Sequence, residues 1–505
     1  MSFKAGCTVF AAVISLAACS TAPGQDAAGP TAKVATGVVQ GAAGDGVSVY
    51  RGIPYAAAPV GDLRWRAPQP AVAWSGVRAA RDVGAACPQP HVSDEPWARV
   101  GPQSEDCLFL NIWQPTKGAR TKLPVMVFIH GGSFRAGSGG VPLYDGTALA
   151  RRGAVIVTIN YRLGRLGFFA HPALTKETTD GLLGNFGLMD QIAALNWVKA
   201  NIASFGGDAS NVTIFGESAG AVSVQALMAS PEAKGLFHKA ISESGGGFSL
   251  APSLKAAEAG GAKWAGQQGL ADATAAQLRA LPVAQIATAQ DLLGAMVDGK
   301  VLKDSPTKAF MQRTQADVPL MIGGNSWEAS LAGLGDAAKP VLGAAYAGLL
   351  AEYKANPSRA GAEADLAIQA VAIQPSRYLA ERQAARGQHA YTYYFTQQPA
   401  SERTLKPGAE HGGELSYLFG TRLNAETWDA ADQKTSKLMG DYWVRFAKTG
   451  DPNGGGAPVW DAVTASASRY MLLNAQAHSA DATALEAKTK DAGVASAKRI
   501  WGAEQ

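Results

Sequence analysis

Residues 211–220 read NVTIFGESAG and carry the strongest local structural signal in the chain. The first half, NVTIF, is a short apolar run typical of a buried strand, and a helical stretch at residues 221–229 follows the motif. Between them, Gly216-Glu217-Ser218-Ala219-Gly220 matches G-x-S-x-G, in which a sharp strand-to-helix turn exposes the serine hydroxyl and the glycines let neighbouring chains approach. In a chain with 58 glycines the motif alone is weak. Its strand–turn–helix context predicts Ser218 as a nucleophile, the alternative being a plain tight turn.

Four further apolar runs end at glycine or polar residues and indicate more buried strands. They are LPVMVFI at 123–129, AVIVTI at 154–159, VPLMI at 318–322 and AYTYYF at 390–395. Helical patterns lie between them, as at residues 188–202. This alternation predicts an α/β fold with a large, mostly parallel central sheet flanked by helices. We expect the Ala-rich stretches 254–279 and 340–374 to form helical cap segments over the site.

Composition restricts the classes of protein that this 505-residue chain represents. Hydrophobic residues make up 47% of it, enough for a sizeable core, while 58 glycines and 26 prolines are too few for a low-complexity chain. The formal net charge is only +4 and no run of Lys or Arg occurs, which argues against nucleic-acid binding. No stretch of 18 apolar residues could span a bilayer, and no CxxC pattern suggests a zinc ribbon.

The N-terminal residues are typical of an export signal. Lys4 precedes an apolar run at residues 9–18 that is too short to cross a membrane but fits a signal peptide. Leu16-Ala17-Ala18-Cys19 resembles a bacterial lipobox, whose cysteine becomes the acylated first residue. The alternative is ordinary cleavage nearby, with Cys19 incidental.

Three segments follow from this interpretation. We expect residues 1–18 to be a signal peptide of the lipoprotein type and residues 19–36, rich in Ala, Gly, Thr and Pro, to be a flexible tether. Residues 37–505 then form the α/β domain. The expected location is the bacterial cell envelope, with an N-terminal lipid anchor as the only membrane contact, or secretion if Cys19 is not acylated.

Cys87 and Cys107 are the two cysteines that remain once Cys7 and Cys19 are assigned to the N-terminal signal. In an exported protein the oxidising environment favours a disulfide between them. Closing a loop of this length stabilises a fold by roughly 3 kcal/mol. Two separate buried thiols are the alternative.

A serine nucleophile needs a base and hydrogen-bond donors for the oxyanion that develops during attack. His130-Gly131-Gly132-Ser133-Phe134 follows the LPVMVFI strand, where such hydrolases place an oxyanion loop, and the N–H of Ala219 should complete the set of donors. An ordinary glycine turn is the alternative. His130 precedes Ser218, whereas the expected chain order is serine, acid, histidine, so we interpret His130 as bracing the loop.

Three histidines follow Ser218 at a sufficient distance to be the base. His389 begins the AYTYYF strand and His478 lies in a polar tail, whereas His411 lies in the glycine-flanked loop GAEHGGE, so His411 is the best candidate. For the acid, Glu328 follows the VPLMI strand. Asp298 is the rival, but its Asp-Gly pair is more simply a turn.

Longer motifs from about Val34 to the C-terminus resemble the type-B carboxylesterase family, which includes cholinesterases and p-nitrobenzyl esterases. They are YRGIPY at 50–55, SEDCLFLN at 104–111, NYRLG at 160–164, GNFGLMDQ at 184–191, FGGD at 205–208 and the GESAG turn. The resemblance implies the α/β-hydrolase fold. It also implies a serine esterase that needs no metal or cofactor and hydrolyses small-molecule esters through an acyl-enzyme.

Carried over position by position, the resemblance implies specific roles for individual residues. It makes Ser218 the nucleophile, Glu328 the acid and His411 the base. The other implied roles are oxyanion donation by Gly132, Ser133 and Ala219, support of the triad by Ser244, and a first disulfide between Cys87 and Cys107. The family usually has a third glycine where this chain has Ser133, which puts activity on bulky tertiary-alcohol esters in doubt.

Two alternative functions remain at this stage. An amidase or a lactone hydrolase would use the same triad. A non-catalytic binding protein is the other alternative, because the family includes adhesion proteins that lost the nucleophile, but here all three triad positions are filled.

Overall fold

The computed structural model describes residues 1–2, 29–93, 95, 98–116, 122–179, 181, 183–248, 251–287, 293–331, 333–422, 427–464 and 469–502. The predicted signal peptide beyond residue 2, Cys19 and most of the predicted tether lie outside the described residues. Across the described ranges, no helix is both long enough and apolar enough to cross a membrane.

Short strands make up the β-structure of the described chain. They are β1 (Thr31–Val34), β2 (Gly37–Gln40), β3 (Ala42–Gly44), β4 (Val47–Pro54), β5 (Val77–Ala79), β6 (Phe109–Pro115), β7 (Leu123–Ile129), β8 (Val155–Ile159), β9 (Gly207–Glu217), β10 (Lys239–Glu243), β11 (Leu320–Asn325), β12 (Ala390–Phe395), β13 (Arg469–Leu473) and β14 (His478–Asp481).

Within the described ranges these strands form one large sheet and one small one. The large sheet has eleven strands in the order β14-β13-β12-β11-β10-β9-β7-β8-β6-β4-β3, and β1, β2 and β5 form the small sheet. Strands β7 to β13 run parallel to their neighbours, while β3, β4, β6 and β14 are antiparallel additions at the two ends. The predicted large, mostly parallel sheet is therefore confirmed.

Helices cover both faces of this sheet. They are α1 (Thr147–Ala150), α2 (Gly164–Gly167), α3 (Pro172–Glu177), α4 (Phe186–Asn201), α5 (Ala219–Ala229), α6 (Leu254–Gln267), α7 (Ala275–Arg279), α8 (Val283–Ala287), α9 (Pro306–Gln312), α10 (Leu334–Leu342), α11 (Tyr346–Lys354), α12 (Ala362–Ala367), α13 (Gln374–Ala384), α14 (Glu414–Phe419), α15 (Ala430–Thr449) and α16 (Ala484–Gly502). A π-helical stretch, Ile368–Ile373, joins α12 to α13. Both Ala-rich stretches predicted as cap segments are thus largely helical.

The central strand β7 is apolar along its whole length because both faces of the sheet are covered there. In β7, Val125 and Val127 pack into the core on one face, while Met126 and Phe128 pack into the core on the other. Successive side chains of a strand point to opposite faces, so a strand covered on both sides needs an unbroken apolar run. This is why the LPVMVFI run coincides with β7.

The folded part begins earlier than the predicted boundary at residue 37. Thr31–Val34 pairs with Gly37–Gln40 in the small sheet, and Ala32 and Val34 are buried. The backbone N–H of Ala35 donates to Oδ1 of Asn201 at 2.8 Å. The prediction of a tether up to residue 36 is therefore wrong for residues 31–36, because alternate small apolar side chains there are enough to anchor a hairpin.

Cys87 and Cys107 form a disulfide, as predicted. Both residues are buried within the core on one side of the sheet. The bond ties the segment that precedes β6 to the loop that follows β5, next to the region where β6 enters the large sheet.

Candidate active site

The candidate site lies where neighbouring parallel strands end at one edge of the large sheet. The register pairs Ile129 of β7 with Gly216 of β9, and Glu217 of β9 with Glu243 of β10. Glu243 in turn pairs with Gly323 of β11. The residues that follow these strands therefore meet at the carboxyl edge, which is where α/β sheets bind ligands.

Ser218 occupies a strained turn between β9 and α5. Its φ of 57° and ψ of −124° are rare for a residue with a side chain. A Cβ on Gly220 would lie 2.0 Å from the carbonyl oxygen of Ile129, and one on Gly216 would lie 2.6 Å from the same oxygen. Only glycine fits at either position, so the two glycines of the motif allow the turn to pack against β7.

The structure brings Ser218, His411 and Glu328 into one hydrogen-bonded chain. Nε2 of His411 lies 2.9 Å from Oγ of Ser218, and Nδ1 of His411 lies 2.5 Å from Oε2 of Glu328. Glu328 is 2% exposed, and its Oε1 accepts the backbone N–H of Asn325 at 2.7 Å. With Nδ1–H donated to Glu328, Nε2 is left to accept the serine proton.

The loop that carries His411 is fixed to the turn that carries Glu328. The backbone N–H of His411 donates to Oγ of Ser330 at 2.9 Å, and a β-bridge joins Trp327 to Glu410. These bonds set the spacing between Glu328 and His411 without using the side chain of either residue.

The rival candidates from the sequence lie elsewhere. Asp298 accepts the backbone N–H groups of Lys300 and Leu302 and a side-chain N–H of Asn185, so it closes a turn. His389 directly precedes β12, and His478 is exposed in β14.

His130 braces the oxyanion loop, as the sequence suggests. Its Nδ1 lies 2.8 Å from the carbonyl oxygen of Gly131, and its ring stacks on Tyr161 with centroids 4.5 Å apart. Tyr161 in turn donates its hydroxyl to the carbonyl oxygen of His130 at 2.8 Å. Burial lowers the pKa of His130 to about 4, so this ring is neutral in the physiological range.

The loop that follows β7 lies directly beside Ser218. A Cβ on Gly131 would lie 2.9 Å from the Cβ of Ser218. Gly132 and Ser133 both have positive φ, 99° and 55°, and in the described part of the chain no acceptor is bonded to either of their N–H groups. Ala219 is the first residue of α5, where N–H groups lack partners within the helix. All three predicted donors are therefore available for an oxyanion.

Ser244 does not bond to the triad in this structure. Its backbone N–H donates to the carbonyl oxygen of Gly323 at 2.8 Å, and its buried Oγ has no hydrogen-bond partner among the described residues. Ser244 directly follows β10 at the carboxyl edge of the sheet, and its role in supporting the triad stays a prediction.

A cluster of buried carboxylates around the triad was not predicted from the sequence. Glu217, Glu243 and Glu414 are at most 5% exposed, and each is close enough to another carboxylate of the group for that neighbour to raise its pKa. Oε1 of Glu217 lies 3.2 Å from Nε2 of His411. Trp443 donates to Glu243 at 3.1 Å, and Asn325 donates to Glu414.

Burial and mutual repulsion shift the pKa values of these side chains strongly. Burial, together with the neighbouring carboxylates, raises the pKa of Glu217 to about 7 and that of Glu414 to about 8, although His411 lowers the first and the hydrogen bond from Asn325 lowers the second. Burial alone would lower the pKa of His411, but the facing carboxylates of Glu328 and Glu217 raise it above its ordinary value of 6.5. Because these groups interact, the pH dependence of activity should report the whole cluster rather than His411 alone.

We expect Glu217→Gln to shift the pH dependence of kcat/KM to lower pH. In the wild-type protein, kcat/KM should rise with pH through an apparent pKa above 6.5, because His411 must lose its proton to act as base. Removing the Glu217 carboxylate removes an interaction that favours the imidazolium, so the rising limb should move down by about one pH unit.

The matched control is Glu410→Gln. Glu410 neighbours His411 in sequence, but its side chain is paired with Lys406 at the surface. This variant should leave the rising limb of the pH profile of kcat/KM at its wild-type position. A Glu217→Gln profile that is unchanged, or displaced to higher pH, would contradict the assigned electrostatics.

No cluster of three or more His, Cys, Asp or Glu side chains among the described residues is arranged as a metal site.

A strained serine at the end of a central strand, hydrogen-bonded to a histidine that is oriented by a buried carboxylate, defines a serine hydrolase of the α/β-hydrolase fold.

Comparison with known proteins narrows this class. The chain matches the family model described as "Carboxylesterase family" over residues 28–347 and 344–492. It is 36% identical to the fumonisin B1 esterase of Sphingopyxis macrogoltabida over 84% of this chain and 83% of that protein. It is 35% identical to the para-nitrobenzyl esterase of Bacillus subtilis strain 168 over 83% of this chain and 89% of that protein.

Comparison with solved structures points to the same family. A carboxylesterase from Geobacillus stearothermophilus superposes with a TM-score of 0.79 at 33% identity, covering 92% of this chain and 99% of that chain. A PNB esterase superposes with a TM-score of 0.80 at 31% identity, covering 91% and 99%. The chain belongs to the carboxylesterase family, and the protein is a carboxylic ester hydrolase.

Proposed function

We propose that Ser218, His411 and Glu328 hydrolyse small-molecule carboxylic esters in two steps. The observation that carries this is the chain of short contacts from Ser218 Oγ through the imidazole of His411 to Glu328. His411 takes the hydroxyl proton as Oγ of Ser218 attacks the ester carbonyl, and then gives it to the departing alcohol. Water repeats the cycle on the acyl-enzyme and releases the acid.

Glu328 and the oxyanion loop stabilise the charges that appear along this path. Glu328 holds the Nδ1–H tautomer of His411 and stabilises the imidazolium once it forms. The N–H groups of Gly132, Ser133 and Ala219 are assigned to the oxyanion. Esters are favoured over amides because every relative and solved structure described above is named as an esterase.

The assay that tests this function compares two chromogenic substrates with the same acyl group. The purified protein should release p-nitrophenol from p-nitrophenyl butyrate much faster than p-nitroaniline from the corresponding butyranilide. Faster release from the anilide would identify an amidase on the same triad.

We expect Ser133→Ala to keep activity on small esters within a few-fold of wild type, because alanine retains the backbone N–H. Ser133→Pro removes that donor and fixes φ near −65°, whereas Ser133 has a φ of 55°. Losing one oxyanion donor lowers kcat by about 10²–10³-fold, and distortion of the loop adds to this.

The two variants are read together, with circular dichroism to check that both are folded. If the folded Ser133→Ala variant lost about a hundredfold in kcat, the hydroxyl of Ser133 would be the group that stabilises the oxyanion. The backbone-donor assignment would then be wrong.

We further propose that the protein is exported and anchored to the cell envelope through acylated Cys19. The lipobox-like Leu16-Ala17-Ala18-Cys19 supports this, as does the short apolar run that ends there. The Cys87–Cys107 disulfide is independent support, because such bonds persist in oxidising compartments outside the cytoplasm.

Cys19→Ala tests the anchor. With no thiol to acylate, the enzyme should move from the membrane fraction to the soluble fraction after cell lysis, with its specific activity unchanged. Cys7→Ala is the matched control, since Cys7 lies in the same predicted signal peptide, before the apolar run, and its loss should leave the protein with the membranes. An unchanged distribution of the Cys19→Ala variant would rule the anchor out.

A further inference from the structure

A cavity of about 530 Å³ lies beside helix α5 and the loop that follows β7, the two segments that flank Ser218. Phe134, which follows Ser133 in the oxyanion loop, forms part of its wall, and so does Val222 of α5, whose N–H donates to the carbonyl oxygen of Ser218. Helix α6 and residues 293–296 close the far side. The volume lies within the range of pockets that hold small ligands.

Most of the cavity wall is apolar, but Arg165 lines it as well. Among the described lining residues, Arg165 is the only one that carries a charge. The residue is 4% exposed, and its guanidinium carbon lies 4.8 Å from the ring centroid of Trp264 in α6. Trp65 donates to the backbone carbonyl of Arg165 at 2.6 Å, which fixes the main chain of α2 at this position.

The segments that line the cavity favour the acyl side of a bound ester over the alcohol side. The alcohol oxygen must depart next to Nε2 of His411, which protonates it, so the alcohol lies toward residues 326–330 and 410–414. No described residue of the cavity wall comes from those two segments. The group that enters the cavity is therefore attached to the carbonyl carbon.

We propose that this cavity receives an acyl chain ending in a carboxylate, which Arg165 binds, so that monoesters of dicarboxylic acids are preferred substrates. The inference rests on the proposed ester hydrolysis and names its substrate class. A planar guanidinium matches a carboxylate with two parallel N–H bonds, and the contact gains strength in an apolar, water-poor wall. Arg165 also interacts within the protein, and its five N–H donors allow it to serve both sets of partners.

The test uses matched pairs of ethyl esters, with ethanol release measured by gas chromatography. Ethyl butyrate, valerate and hexanoate are compared with the monoethyl esters of succinate, glutarate and adipate, so each pair has the same carbon count in its acyl group. In the wild-type protein kcat/KM should favour the charged member at one or two chain lengths. Arg165→Met should lower kcat/KM for that charged ester by about 10–100-fold, the usual range for losing a hydrogen bond to a charged group, and change the neutral partner only a few-fold.

Two control variants separate binding by Arg165 from other effects. Arg66→Met removes a charge from an arginine whose side chain is 44% exposed and which does not line the cavity, so it should keep the wild-type preference. Arg165→Lys keeps the charge but loses the planar fork, so it should keep part of the preference. If Arg165→Met does not fold, the Arg165→Lys variant still tests the proposal.

Each outcome decides between the possibilities. Equal kcat/KM for charged and neutral esters in the wild type would overturn the inference while leaving ester hydrolysis intact. Equal losses on both esters in Arg165→Met would show a structural role only. If Arg165→Met instead impaired hydrolysis of 4-acetoxybutanoate, whose carboxylate is on the alcohol, the acyl assignment would be wrong. Failure to hydrolyse any ester would refute the proposed function itself.

Discussion

Replacing Ser218 by alanine is expected to lower kcat for p-nitrophenyl butyrate by about 10⁴–10⁶-fold. Without Oγ no acyl-enzyme forms, and only binding and the oxyanion donors remain to assist attack by water. The fold should be unaffected, because alanine retains the Cβ, and among the described residues the Oγ of Ser218 bonds only to His411. Steady-state kinetics and the thermal unfolding midpoint measure the two effects separately.

Ser223→Ala is the matched control for Ser218→Ala. Ser223 is a buried serine of the same helix, α5, and its Oγ accepts from Gln191 at 3.0 Å, away from the triad. Its loss should cost some stability but leave kcat within a few-fold of wild type. A folded Ser218→Ala variant that kept a tenth of wild-type activity would exclude Ser218 as the nucleophile.

Glu328→Gln is expected to lower kcat by about 10⁴-fold while preserving the shape of the site. The carboxylate accepts Nδ1–H of His411, whereas an amide can donate its own N–H to Nδ1 and so favour the wrong tautomer. Nε2 would then carry the proton and could not act as base toward Ser218. The kcat of the folded variant, measured at the pH optimum of the wild type, tests this.

Asp298→Asn tests which of the two candidate acids from the sequence, Glu328 or Asp298, belongs to the triad. Asp298 closes a turn through the N–H groups of Lys300 and Leu302, so its loss should lower the unfolding midpoint but leave kcat within a few-fold. If Asp298→Asn showed the large loss in kcat and Glu328→Gln the small one, the acid would have been assigned to the wrong loop.

The strands that lead to the site could be predicted because their chemistry is uniform. β7 coincides with the apolar run at 123–129, and β12 coincides with the run at 390–395. Glycine-rich turns after such strands then indicated where the oxyanion loop and the nucleophile should lie. The fold class and the ester hydrolase class predicted from these motifs are both confirmed.

The other parts of the fold and of the site could not be predicted, because they depend on contacts between distant segments that no local sequence pattern shows. β10 reads KAISE, and its end residues, Lys239 and Glu243, are charged, so it lacks the unbroken apolar run of the other strands. It is buried because it lies between β9 and β11. Glu217 and Glu414 were visible in their motifs, but only the folded chain shows that they face His411.

The central claim, that Ser218 attacks the ester and carries the acyl group, is tested most directly by covalent labelling. The wild-type protein is treated with a fluorophosphonate, which phosphonylates activated serines, then digested, and the modified peptide is sequenced by mass spectrometry. We predict a single stoichiometric adduct on Ser218, formed in step with loss of esterase activity and absent in His411→Gln, where the base is missing. Complete inactivation with the adduct on another residue, or full esterase activity in protein that is fully labelled at Ser218, would contradict the account.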